Sequence, residues 1–172
     1  RKLSTSWKNK NEGFGMRIVL IAAIGENYEL GKDNHLIWSL PGDLRFFKEK
    51  TWDQVIVMGK NTFLSLPRLL PHRKHVVLTS SDLDLGSGAE VYHSVSEFLK
   101  AYQSYEKIFV IGGASVYQSF IGLANEMYLT HIHDSYCEAD VYFPRFNVTD
   151  WDTALLGSYC DQGIHYDHVY YK

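Results

Sequence analysis

The sequence predicts a single α/β domain whose central sheet is predominantly parallel, flanked by helices and closed at one edge by an antiparallel C-terminal hairpin. Three observations predict it. Continuously apolar runs such as residues 17–23 (RIVLIAA) have strand length and the all-round hydrophobicity of strands buried on both faces. Such runs alternate with helix-like segments, the order that builds parallel sheets through crossover connections. The last two strand-like segments, 153–160 and 165–171, are separated only by Asp161-Gln162-Gly163-Ile164. That is too short for a crossover helix, so the chain must turn straight back.

Taken in order, residues 1–15 (RKLSTSWKNKNEGFG) are polar and lack the hydrophobic stretch of a secretory signal. They are expected to be a flexible extension or expression remnant, leaving a domain at 16–172. After the first strand, Gly25, Asn27, Gly31, Asp33 and Asn34 mark a loop of residues that tolerate turn geometry. Pro41 suits the first turn of a helix, and Asp43 sits where the helix dipole favours a carboxylate. Leu44 and Phe47, three residues apart, define the inner side of that helix, with Arg45, Lys48 and Glu49 outward. Strands are then expected at 54–58, 75–79, 89–93, 107–111 and 126–133, and helices at 61–66, 95–103 and 115–122. Residues 82–88 read as a loop. There is no linker, low-complexity tract or internal repeat.

Composition narrows the function. A chain of 172 residues, 45% hydrophobic and 22% charged, can build one ordinary core and is too apolar for a disordered chain. Seventeen Lys plus Arg against twenty Asp plus Glu leaves a net charge of −3 and no basic stripe, so no nucleic-acid partner is required. The apolar run at 18–24 falls far short of the roughly 20 residues of a membrane span. Cys137 and Cys160 have no metal or redox spacing and are expected to be reduced and buried, which together with the polar start points to the cytoplasm.

Three strand-to-helix junctions carry ligand-binding chemistry. Ile111-Gly112-Gly113-Ala114-Ser115 lets a phosphate approach backbone N–H groups at a positive helix end. Gly59-Lys60-Asn61-Thr62 and Thr79-Ser80-Ser81 end two other strands. In a parallel sheet all three lie at the carboxyl edge, where open α/β sheets bind ligands. Singly each is an ordinary turn; together, a cation, several hydroxyls and a Gly-Gly pair suggest a long ligand with more than one phosphate. Asp43 is either a solvated acid that stabilises its helix or, if buried, an acid or an anchor for a protonated heterocycle. His131 and His133 share a strand face, but no third ligand completes a metal site. His165 and His168 fail for the same reason, so all four are expected to be structural or exposed. No GxSxG elbow supports a hydrolase.

Read together, these segments resemble dihydrofolate reductase. The likeness runs from about Met16 to the C-terminal hairpin. Its strongest part is LIWSLPGDLRFFKEKT (36–51), similar to the family's Trp-x-Leu-Pro-x-Asp/Glu-Leu-x-x-Phe-Lys-x-x-Thr signature. LIAAIGENYELGKDN (20–34), VMGKNTFLSL (57–66), LLPHRKHVVLTSS (69–81), VIGGASVY (110–117) and YLTHIH (128–133) follow in order, as do Glu138-Ala139-Asp140 and Phe143-Pro144.

The resemblance implies a dihydrofolate-reductase-like fold and NADPH-dependent reduction of 7,8-dihydrofolate to tetrahydrofolate. It places Asp43 on the amino-pyrimidine edge of the pterin, as the only ionisable group of that pocket, with a water delivering the proton. Trp38 would help hold that water, Thr130 would bridge Asp43 and the pterin, and Leu36 falls at a catalytic-loop position. Ile21, Leu44, Phe47, Leu66, Leu70, Ile111 and Tyr117 would line the substrate, and Arg73 would take its glutamate carboxylate. Ala23, Leu30, Gly31 and Asn34 would border the nicotinamide. Gly112, Gly113, Ala114, Ser115, Val116 and Tyr117 would hold the pyrophosphate region, with the Gly-Gly peptide cis. Gly59, Lys60, Asn61, Thr62, Thr79, Ser80 and Ser81 would handle the remaining phosphates, the cation favouring NADPH over NADH. Antifolate-type small molecules would be further ligands, and a monomer is expected.

The sequence also departs from the family pattern. Ile37 stands where a Pro usually precedes the signature Trp, Gly42 where a bulkier or acidic residue is common, and Lys60 where many relatives carry Arg. Pro67 and His72 differ in a variable stretch. The loop from Gly25 to Ile37 is the candidate lid, whose movement would gate product release. Two other readings remain open at this point: a reductase of another pterin or a deazaflavin-type ring on the same fold, and a module that binds nucleotide without turning it over.

Overall fold

The computed structural model describes residues 15–33, 35–81 and 88–172. The expected extension at 1–15, except Gly15, therefore lies outside the described residues, as do Asn34 and residues 82–87. Strand β1 (Arg17–Ile24) is the centre of the fold, with Ile18, Val19, Leu20 and Ile24 fully buried. Continuous apolarity is what a strand covered on both faces requires. After it come two short strands, β2 (Glu29–Lys32) and β3 (His35–Leu36), and then helix α1 (Pro41–Thr51). The chain continues through β4 (Val55–Gly59), α2 (Lys60–Ser65), β5 (Lys74–Leu78), β6 (Ala89–Tyr92), α3 (Val95–Ala101), β7 (Lys107–Gly112) and α4 (Ala114–Phe120). It ends with β8 (Glu126–Ile132), β9 (Val141–Tyr142), a 3₁₀ turn at Val148–Asp150, β10 (Thr153–Asp161) and β11 (Ile164–Tyr171).

Eight strands form one sheet in the order β10-β11-β8-β1-β7-β4-β5-β6. From β8 to β6 every neighbouring pair is parallel; β11 then runs antiparallel to β8 and β10 antiparallel to β11. The hairpin turns on Gln162 and Gly163, both at positive φ, which is what a two-residue turn matched to strand twist demands. Because β1, β4, β5 and β7 are parallel, their carboxyl ends at Ile24, Gly59, Leu78 and Gly112 share one edge.

The predicted elements are present with ends moved by one or two residues, but three expectations are corrected. The segment 25–37 is not a plain loop: β2 pairs with β3 and also with β9, about 110 residues further on, in a separate three-stranded sheet. Strands of two to four residues are too short to impose a period on the sequence. The inward stripe of α1 is Asp43, Phe46, Phe47, Lys50 and Thr51, whereas Leu44 is 54% exposed. That stripe follows i, i+3, i+4, i+7, i+8, one position off the expected face. Cys137 and Cys160 are free, as expected, but exposed rather than buried.

Candidate active site

Helix α1 begins without a side-chain cap; Leu40 leads in extended and Pro41 occupies the first turn. The hairpin supplies what the helix lacks. Gly42 N–H donates to Asp161 Oδ2 at 2.6 Å, and the Tyr166 hydroxyl donates to the same oxygen at 2.9 Å. Those bonds, the Gly42 one foremost, hold the Asp161 carboxyl below its ordinary range. A Cβ at Gly42 would run into the Tyr166 hydroxyl and the Asp161 carboxylate. The small residue therefore lets the helix start lie directly on the hairpin.

One residue on, Asp43 faces the sheet with its side chain 19% exposed. Its Oδ1 accepts from Thr130 Oγ1 at 2.5 Å and from His168 Nε2 at 3.0 Å. The topology makes this convergence. Ala23, Thr130 and His168 are register partners across β1, β8 and β11, so the two donors sit side by side on adjacent strands below α1. Oδ2 receives no bond from any described residue.

An apolar wall continues from this carboxylate. Ile21 joins Val19, Ile56, Met58, Val77 and Phe109 in a buried cluster, against which Phe46, Phe47, Leu66, Leu70 and Ile111 pack half-buried. Five of the expected substrate-lining residues are thus brought to one face. Leu44 and Leu36 are not part of it; they stand 54% and 71% exposed on α1 and β3. Tyr117 is buried with its hydroxyl given to the Ile21 carbonyl at 2.6 Å, and burial pushes its phenol far above the ordinary value. At the far end, Arg73 donates Nε to Pro71 O at 2.7 Å and Nη1 to Thr51 Oγ1 at 3.2 Å. Partial desolvation draws its guanidinium below the usual value. His75 shapes that turn: its Nε2 accepts from Leu70 N–H at 3.0 Å and its Nδ1 lies 3.1 Å from Arg73 O. One bare and one protonated nitrogen satisfy both contacts, which is the neutral imidazole.

The glycine junctions meet on the shared carboxyl edge. The Gly112–Gly113 peptide is cis, as the resemblance implied, and Gly112 has φ +119°, where an added Cβ would press the Tyr117 ring at 3.3 Å. A Cβ at Gly59 would stand 3.2 Å from Val116 and 4.0 Å from Gly113 N, and one at Gly113 would stand 3.6 Å from Thr62 Oγ1. Helices α2 and α4 start here on Gly59 and Gly113 with no side-chain cap, so their first N–H groups remain available to an anion. Lys60 is half-buried beside them, Ala114 half-buried, and Asn61, Ser80, Ser81 and Ser115 exposed. Thr79 and Ser81 pair their hydroxyls at 2.9 Å. Ala23 is half-buried, Gly31 buried, and Leu30 packs into the main core.

One assignment needs correction. Trp38 gives its indole N–H to Asp134 Oδ2 at 3.0 Å, so that donor is not free for a water. With its ring against Gly25, Trp38 instead ties the segment after β3 to the segments that follow β1 and β8. Glu29, 1% exposed, reinforces the same joint, accepting from Asn27 N–H at 2.7 Å and Tyr136 N–H at 2.6 Å. Two residues beside this site were not among its expected members: His168, bonded to Asp43, and Phe46, stacked on His168. His168 is buried and bonded to Asp43, which fits the expected structural imidazole and places it beside the candidate acid. Alternation along β11, with Tyr166 and His168 both buried, was the signal available. Among the described residues no group of three His, Cys, Asp or Glu could hold a metal, and no helix is long and apolar enough to cross a membrane.

Comparison with known proteins bears on this geometry. The dihydrofolate reductase family model matches residues 17–171. The chain is 40% identical over 134 residues to a dihydrofolate reductase of Bacillus subtilis, covering 78% of this chain and 79% of that one. It is 38% identical over 146 residues to the dihydrofolate reductase HdrB of Haloferax volcanii, covering 79% and 75%. Among solved structures, the Enterococcus faecalis dihydrofolate reductase complexed with NADP(H) and RAB-propyl superposes with a TM-score of 0.80 at 36% identity, covering 91% of this chain and 96% of that one.

Proposed function

The chain belongs to the dihydrofolate reductase family, and from that premise we propose how its own residues divide the work of reducing 7,8-dihydrofolate to tetrahydrofolate with NADPH. The observation that carries the reading is the Asp43 carboxylate, fixed through Oδ1 and open at Oδ2, at the end of an apolar wall on the sheet edge that also bears the glycine junctions.

Asp43 Oδ2 accepts from the amino-pyrimidine edge of the ring and so sets its orientation. Thr130 keeps the carboxylate from rotating. A negative charge in a sheltered site favours a proton on the nearby imine nitrogen, which makes the adjacent carbon a better hydride acceptor; a water carries that proton. Ile21, Phe47, Leu66, Leu70 and Ile111 hold the flat ring and exclude solvent, with Leu44 and Leu36 covered when the site fills. Arg73, steadied by Thr51 and the Pro71 carbonyl, meets the substrate's carboxylate tail.

The chain's residues fit NADPH, since two uncapped helix starts meet at three glycines, where bare backbone can approach a phosphate and Gly59 and Gly112 have no room for a larger side chain against Val116 and Tyr117. When bound, that cofactor supplies the hydride. Gly112, Gly113, Ala114, Ser115 and Val116 hold its pyrophosphate, Lys60, Thr62, Thr79, Ser80 and Ser81 the phosphate farther out, and Ala23 with Gly31 the nicotinamide side. Trp38, Glu29 and Asp134 anchor the segment 25–37 beside it.

The test is NADPH absorbance decay across a pH series with dihydrofolate, alongside other reducible pterins and deazaflavin-type rings. Turnover confined to dihydrofolate, rising as pH falls toward neutrality, is expected. Equal rates on every ring, or NADPH binding without decay, would contradict the reading.

A further inference from the structure

The geometry points to His168 as a positioning residue that shares control of the reactive carboxylate, an inference that rests on the reading of Asp43 above. Its imidazole is 3% exposed and stacks on Phe46, ring centroids 3.8 Å apart and planes 21° from parallel. Nε2 lies 3.0 Å from Asp43 Oδ1, the oxygen that Thr130 also engages. Tyr159 and Tyr166 close the remaining sides, with centroids at 5.1 Å and 5.4 Å. Opposite His168 on β10 is Gly157, where a Cβ would collide with the Tyr159 hydroxyl, so the cage is closed by backbone. A ring held this firmly has one direction in which to offer Nε2, and that is toward Asp43.

Two consequences follow from chemistry. Thr130 and His168 together commit Oδ1, so Oδ2 alone is left for the ligand and the carboxylate cannot swap oxygens. A carboxylate that loses a donor also has more of its charge left for its other oxygen, so removing His168 is expected to strengthen the Oδ2 contact to the protonated form of the bound ring. The charged and titratable groups around the imidazole are Asp43 and Arg45 from α1, Asp161 and Tyr159 from β10, and Tyr166 on its own strand. Its neighbour Asp167 points the other way, to His133 at 2.9 Å.

The experiment is stopped-flow single-turnover hydride transfer from NADPH to dihydrofolate against pH, on wild type, His168→Phe and His168→Gln. Phe keeps the stack on Phe46 and removes the donor; Gln keeps a neutral donor. The midpoint of the pH–rate profile is expected to move upward by about one pH unit in His168→Phe, a tenfold change in a protonation equilibrium. His168→Gln is expected to lie between that variant and wild type, and NADPH affinity to stay unchanged in both. A midpoint that stays put in His168→Phe, whatever happens to rate or stability, reduces His168 to a packing residue and overturns the inference. Should the variants not fold, ¹⁵N-histidine spectra of the wild-type chain decide: a protonated Nε2 whose signal moves on Asp43→Asn supports the inference, and a bare Nε2 at neutral pH overturns it. A wild type without any pH-dependent limb fails the Asp43 reading itself, so the two failures are distinguishable.

Discussion

At the scale of single residues, small side chains and single donors decide what this site can do. Gly42 is the smallest residue that lets α1 rest on the Asp161–Tyr166 pair, and Asp43 reaches Thr130 and His168 because of it. Lys60 is a point charge at an uncapped helix start. In the proposed reading it would meet a phosphate without the bidentate fork an arginine would give. Lys60→Ala is expected to weaken NADPH by roughly 10- to 100-fold, the range of a lost charge-assisted hydrogen bond, and NADH by much less. Fluorescence titrations with both cofactors check this; equal losses would show that Lys60 does not read the extra phosphate.

Among the elements, legibility in the sequence followed contact order. Strands β1, β4, β5, β7 and β8 announce themselves as apolar runs, and the apolar wall was visible because Ile21, Phe47, Leu66, Leu70 and Ile111 lie within segments that carry the family likeness. The small sheet was not visible, since β2, β3 and β9 are defined by pairing partners and not by a period. The contact of His168 with Asp43 was hidden for the same reason: it spans 125 residues, and only the register of β8 with β11 makes it. Trp38 was placed correctly in the chain, but its partner Asp134 is 96 residues away. The joint that holds the segment 25–37 is testable through Glu29, whose buried carboxylate takes two backbone N–H donors. Glu29→Gln presents an NH₂ to one of them and is expected to cost about 1–3 kcal/mol in urea unfolding. A midpoint equal to wild type would show that the joint does not depend on that carboxylate.

For the whole molecule, acid sensitivity follows from groups spread across the sheet. Desolvation lowers the imidazoles of His75 and His131 from 6.5. Asp161 is lowered from 3.8 by Gly42 N–H and Tyr166, and Asp167 by Ser158 and, against some desolvation, His133. In each case the folded value lies below the unfolded one, so the unfolded chain takes up the extra proton. Each contribution is full above the unfolded value and is lost as pH falls through the folded one. Stability is therefore expected to decline first just below 6.5, through the imidazoles, and again below 3.8, through the hairpin carboxylates. Urea midpoints from pH 8 downward measure it, and a flat profile between pH 7 and 5 would contradict the part assigned to His75 and His131. Protonation of His75 also breaks its bond to Leu70 N–H, so loosening should begin at the turn that presents Arg73.

One side chain ties these scales together: a carboxylate oriented by two neighbouring strands, on a helix seated by a hairpin, on the sheet that carries the glycine junctions. Single-turnover hydride transfer in Asp43→Ala at neutral pH, with NADPH affinity measured on the same sample, probes it most directly. A rate lower by several orders of magnitude with NADPH bound as tightly as in wild type is the predicted result. A rate near wild type would remove Asp43 from the chemistry and with it the mechanism proposed for this fold.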